Sequence, residues 1–171
     1  MEILEQNVIF NKSSSKSKMG IGQDIKQGKD FKSPYEKLIV NIMYTQSWVL
    51  DQQNQLFKQF GLTAPQYNVL RILRGQYPEP CTVNTIIERM LDRMSNASRI
   101  VDRLETKKLV ERKTCKSDRR AKDVVITKKA LDLLDQVDQE LSNWMSEFDQ
   151  IDLRNIEAAS DTLDALRNIN Q

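Results

Sequence analysis

Apolar positions along this chain fall mostly at helical spacing, and one central stretch departs from it. From Pro34, the residues Leu38, Ile42, Trp48 or Val49, Leu56 and Phe60 run to Gly61, which predicts one long helix of some 26 residues. Its apolar side chains lie on more than one face, so it needs more than one packing partner. Thr63 is placed to cap a second helix, with Pro65 in its first turn and Tyr67, Val69, Leu70, Ile72 and Leu73 following as far as Gly75. Tyr77-Pro78-Glu79-Pro80 reads as a turn and Cys81-Thr82-Val83 as a short strand. Thr82 or Asn84 can then cap a helix through Ile86, Ile87 and Met90, with Leu91 and Met94 expected to hold it to the next one.

That next helix is expected to take Ser95 as its N-cap. Ala97, Ile100, Val101 and Leu104 fall at i, i+3, i+4 and i+7, a single apolar stripe. Two strand candidates follow, Val110 to Lys116 and Lys122 to Thr127, around the charged tip Ser117-Asp118-Arg119-Arg120. Beyond them Leu134, Val137, Leu141, Trp144 and Phe148 step by three and four. After a break near Asp149, Leu153, Ile156, Ala159 or Ser160, Leu163 and Leu166 repeat the pattern. The fold class is therefore mainly α with a small β-hairpin, and the order helix, helix, hairpin is that of a winged helix-turn-helix.

Charge sharpens this picture. Between Cys81 and Ala130 there are 14 Lys/Arg against 7 Asp/Glu, whereas Leu131 to Gln171 holds 10 acidic residues and only Arg154 and Arg167. The overall charge of +2 hides that asymmetry. A compact module with such an excess is an electrostatic footprint for double-stranded DNA, and the acidic end stays off it. Once the Ala97–Leu104 stripe is docked on a core, Ser95, Asn96, Ser98, Arg99 and Arg103 offer donors and acceptors to base edges in a major groove. At the hairpin tip, Asp118 beside Arg119 and Arg120 can fix the direction of a guanidinium suited to a narrow minor groove. A solvated surface helix and a charged turn are the bland alternatives, and a winged-helix module binding protein rather than DNA is the rival function.

At this point the residues resemble a family. Leu104-Glu105-Thr106-Lys107-Lys108-Leu109-Val110-Glu111-Arg112, then Asp118-Arg119-Arg120-Ala121-Lys122 and Ile126-Thr127-Lys128-Lys129, look like the signature of the MarR family of bacterial transcription regulators. The likeness is contiguous over about residues 82 to 130 and loose over 34 to 170. It departs at Lys108 and Ala130, where the family commonly has Gly; Lys108 would then sit at a left-handed helix terminus, a strain of roughly 1 kcal/mol. The resemblance implies a homodimer built through helices from both ends of the chain, here 34–60 and 128–171, flanking a DNA-binding lobe at 61–127. It also implies that Asp118 and Arg120 act as a pair, and that a small apolar or aromatic effector binds between the dimer helices and the lobe. Tyr35, Tyr44, Trp48, Tyr67 and Trp144 are the aromatic candidates for lining such a cleft. Repression is the commoner role in the family.

Composition closes other routes. The chain of 171 residues has the size of one domain with an appended element, and its 39% hydrophobic content suffices for a core. It contains no His, which removes His-dependent triads and His-based metal sites, and no Gly-rich phosphate loop or nucleophile motif occurs; neither enzyme nor cofactor is expected. Cys81 and Cys115 lack metal-ligand spacing and are expected to be free thiols, and the first long helix carries no Cys for the peroxide sensing known in a branch of that family. No run approaches the ~18 apolar residues of a membrane span. Ile3-Leu4 and Val8-Ile9-Phe10 are too short for a secretory signal, so a cytoplasmic protein is expected. Residues 1–33, with Ser13-Ser14-Ser15 and three glycines, are expected to form a flexible arm.

Overall fold

The computed structural model describes residues 20–92, 94–114 and 122–169. By its internal contacts the chain divides into two units, residues 1–49 and 50–171, and each is taken by itself.

In the first unit, residues 20–33 of the expected arm contain one helical turn, α1 (Ile21–Asp24), with Ile21 buried. The long helix α2 (Pro34–Gln59) then begins where Pro34 predicts. The Ser33 hydroxyl accepts from the Glu36 amide (3.1 Å) and the Glu36 carboxylate accepts from the Lys32 amide (2.6 Å). One orphaned donor of the first turn, and the Lys32 amide just before the helix, are thereby satisfied by side chains. Tyr35, Ile39 and Met43, spaced at i, i+4 and i+8, form an exposed apolar stripe along α2.

In the second unit, α2 ends in a motif that needs glycine. Gly61 lies at φ +65°, the Leu62 amide reaches back to the Phe57 carbonyl (3.0 Å) and the Gly61 amide to that of Lys58 (3.0 Å). Leu62 and Phe57, which flank this turn, are both buried. Helix α3 (Ala64–Arg74) follows, with a reciprocal cap in which Thr63 accepts from the Gln66 amide and the Gln66 side chain from the Thr63 amide. Next come β1 (Cys81–Thr82), α4 (Val83–Arg89), α5 (Ala97–Thr106), β2 (Val110–Thr114) and β3 (Lys122–Ile126). The chain continues through α6 (Lys128–Ser146), a single 3-10 turn (Glu147–Gln150) and α7 (Leu153–Asn168).

The strands form an antiparallel sheet in the order β1-β3-β2, with Val110 opposite Ile126 and Cys81 opposite Val124. Val110, Val124 and Ile126 thus put their side chains into one core with Leu70, Leu73, Ile86, Val101 and Leu104. Leu134, Val137 and Leu141 belong to the same core, so the first half of α6 is a wall of the lobe as well as a helix leading away from it. No residue of α7 is buried. Among the described residues, no helix is long and apolar enough to cross a membrane.

Tyr67 ties three of these elements together. Its ring stacks on Phe57 with centroids 4.3 Å apart, its hydroxyl donates to Asp138 of α6 (3.4 Å), and that hydroxyl accepts from Arg71 (2.9 Å). The same contact with Tyr67 raises the Arg71 pKa above its ordinary value. Arg74 adds an ion pair to Asp138 at 2.7 Å. Burial raises the pKa of the Cys81 thiol, which packs in the core as a small hydrophobe.

Candidate nucleic-acid interface

Helix α5 has the two faces its sequence requires. Ala97, Ile100, Val101 and Leu104 are buried, and Ser98, Arg99, Asp102 and Arg103 are exposed. The N-cap is Asn96 rather than Ser95: the Asn96 side chain accepts from the Arg99 amide at 3.0 Å. Ser95 is drawn the other way, its hydroxyl donating to Asp92 at 2.6 Å. Both residues are competent caps; the bond to Asp92 commits Ser95 to the connector, and Asn96 takes the extended conformation at the helix edge. This contact holds the Asp92 carboxyl below its usual range, helped by the Met94 amide.

The expectation for Leu91 and Met94 is also corrected. They do not join the two helices; Leu91 is 90% and Met94 94% exposed. Helix α4 stops at Arg89, and Met90 turns extended (ψ 138°) and fills the core position itself, which sends the residues beyond it outward. Both helices instead bury Ile86, Met90, Ala97 and Val101 in the common core. The cap of α4 is Thr82, which accepts from the Thr85 amide at 3.1 Å, so Asn84 is free of that role.

A feature missed in the sequence fixes α5 to the hairpin. Arg112 on β2 lies 2.6 Å from Asp102 and donates to Glu105 at 3.2 Å. One guanidinium thus occupies both carboxylates of the helix. Among the described residues Arg99 and Arg103 make no ion pair, so the outward face of α5 keeps its positive charge. The signal was available: Asp102 and Glu105 are one turn apart, with the only inward-leaning base of β2 beyond them. Lys108 ends α5 at φ +59°, as expected from the missing glycine, in the same turn that Gly61 makes for α2: Leu109 amide to Leu104 carbonyl, 3.0 Å, and Lys108 amide to Glu105 carbonyl, 2.8 Å. Thr127 caps α6 and donates its hydroxyl to the Lys108 carbonyl (3.0 Å), closing the base of the hairpin on the end of α5.

The wing residues Asp118, Arg119 and Arg120 lie outside the described residues, as does Cys115. Of the aromatic candidates, Tyr44 and Trp48 line an open cleft of about 320 Å³ with Asp24, Asn41 and Thr45. Tyr35 is 80% exposed, Tyr67 is a core residue, and Trp144 packs edge-on against Phe148 at 5.3 Å; none of these three lines that cleft.

Comparison with known proteins agrees with this geometry. Residues 60–121 match the model of the MarR family. The transcriptional repressor MprA of Escherichia coli K12 is 26% identical over 106 residues, 61% of this chain; the chain spans 60% of that relative's length. A MarR transcription factor from Planctomyces limnophilus matches with TM-score 0.60 and 26% identity, over 81% of this chain and 96% of its own. MepR of S. aureus, solved with DNA, shares the fold with TM-score 0.69 at 18% identity, over 81% and 100% of the two chains. A helix-turn-helix with a basic outward face, a three-stranded wing base and these matches together make the chain similar to the MarR family of transcription regulators, most directly over residues 60–121.

Proposed function

We propose that the chain acts as a homodimer that represses transcription from a pseudo-palindromic operator. Each copy of α5 enters a major groove, the two about one DNA turn (~34 Å) apart. The carrying observation is the sorting of charge on α5: Asp102 and Glu105 are taken up by Arg112, while Ser98, Arg99 and Arg103 are left to the outside. MepR, of the same fold, has been solved with DNA, which supports the reading. The hairpin tip, with Asp118 aiming Arg120 and leaving Arg119 for phosphate or groove, extends the contact. Ser95 and Asn96 stand at the helix entrance, Asn96 as its cap and Ser95 bonded to Asp92, where they would flank the contacts made by Ser98 and Arg99.

Dimerisation through 34–60 and 128–171 is supported by the exposed apolar residues there. Tyr35, Ile39 and Met43 on α2, and Ile151, Leu153 and Ile156 around α7, are apolar surface that a second copy would cover. A small apolar or aromatic effector seated against Tyr44 and Trp48 would release the DNA. Salt-titrated binding to DNA selected from a random pool, run beside sedimentation, tests the proposal. Affinity should fall steeply with salt, Arg99→Ala and Arg103→Ala should each cost ~1–3 kcal/mol, and the sedimenting species should be a dimer. A flat salt dependence would favour the protein-binding module instead.

A further inference from the structure

The most exposed large apolar side chains among the described residues are not on the helices offered for dimerisation. They are Leu91 and Met94, at 90% and 94% exposure, in the connector between α4 and α5. Scattered exposed hydrophobes need no explanation, but these two lie within four residues of one another and the amide of each is hydrogen-bonded to a side chain. The Leu91 amide donates to the Asn68 side chain of α3 (3.0 Å) and the Met94 amide to the Asp92 carboxylate (2.9 Å). Ser95 donates to the same carboxylate through its hydroxyl (2.6 Å) and to the Asp92 carbonyl through its amide (3.3 Å). Leu91 and Met94 are thus anchored at their amides while their side chains stand out in water. The fold does not ask for them there, since Met90 already fills the core position at 5% exposure.

Position gives them a use. Met94 lies two residues before the cap Asn96, next to the end of α5 that carries Ser98 and Arg99. In helix-turn-helix docking it is the N-terminal end of the second helix that meets base edges. Among the four bases, only thymine presents a methyl group in the major groove, and apolar side chains are its partners. A thioether on a flexible stem adapts its shape to such a surface.

We propose that Met94, flanked by Leu91, is a specificity element that packs on thymine C5-methyl groups at the edge of the steps read by α5. This rests on the reading that α5 enters DNA, and the test separates the two. With the full chain and DNA selected from a random pool, each thymine of the bound site is replaced in turn by deoxyuridine, which removes only the methyl group. At one or two positions the wild type should lose affinity about fourfold, the worth of one buried methyl. Met94→Ser and Leu91→Ser should fold normally, because both side chains are exposed. Met94→Ser should lose a similar factor on thymine DNA and become indifferent to deoxyuridine at the same positions. If Arg99→Ala abolishes selective binding while deoxyuridine and Met94→Ser change nothing, or if their losses simply add, the thymine contact is overturned and DNA reading by α5 stands. If the wild type selects no DNA, both fall. If Leu91→Ser or Met94→Ser instead dissociates an oligomer, the pair is a protein contact and the proposal is wrong.

Discussion

Replacing Arg112 with Gln separates a residue that touches DNA from one that disarms its neighbours. Arg112 lies 2.6 Å from Asp102 and 3.2 Å from Glu105, with side-chain exposures of 27%, 56% and 42%. Pairs this wet are worth roughly 0.5–0.75 kcal/mol each, so the substitution should cost about 1–1.5 kcal/mol of stability. For a chain of this size that is a drop of roughly 3–5 °C in Tm. The effect on DNA should be separate in origin. Two carboxylates without their counter-charge then stand on the reading helix, and a carboxylate about 7 Å from a phosphate is repelled by about 0.6 kcal/mol in water before screening. The two together should weaken operator binding by about 1 kcal/mol, or about fivefold, more at low salt than at high. The decisive measurement is the cycle with Asp102→Asn and Glu105→Gln, read by operator affinity at two salt concentrations. In the background lacking both carboxylates, Arg112→Gln should have little effect on affinity. An undiminished loss in that background would mean that Arg112 meets DNA itself, and an unchanged Tm and affinity in the single variant would show the clamp to be idle.

Two further outcomes follow from the ends of α5. Lys108→Gly should stabilise the protein by about 0.5–1 kcal/mol, since φ +59° strains any side chain and Gly61 already makes the same turn unstrained; thermal unfolding showing a loss would refute the account. Asn96→Ala should cost about 1 kcal/mol of stability as the loss of a cap, and Ser95→Ala less than that; denaturant unfolding with the order reversed would return the cap to Ser95.

The stripes on α3, α5 and α6 were legible because burial imposes a period on sequence: Leu70, Leu104 and Leu134 are where 3.6-residue spacing puts them. So was the departure at Lys108, because backbone handedness depends on local geometry that a helix end dictates. Choices between adjacent equivalents were not. Ser95 and Asn96 cap equally well on paper, and only the position of Asp92, set by the turn at Met90, assigns them. Leu91 and Met94 were read as glue because apolar type implies burial, yet where a helix stops decides which apolar residue reaches the core. Tyr67 was grouped with other aromatics, although its ring belongs to Phe57 and its hydroxyl to Asp138. Ring type is visible in a sequence, and a partner 71 residues away is not.

The two faces of α5 answer to different masters. Ala97, Ile100, Val101 and Leu104 hold the helix in the lobe, and Ser98, Arg99 and Arg103 are exposed and make no ion pair among the described residues. Exchanging exposed residues that make no internal contacts moves stability by only about 0.5 kcal/mol. The address read on DNA can therefore drift or be rewritten one side chain at a time, with folding left out of the negotiation. A duplicated copy of such a chain could acquire a new operator through a few surface changes while its scaffold, including the Tyr67 contacts with Phe57 and Asp138, stayed as it was.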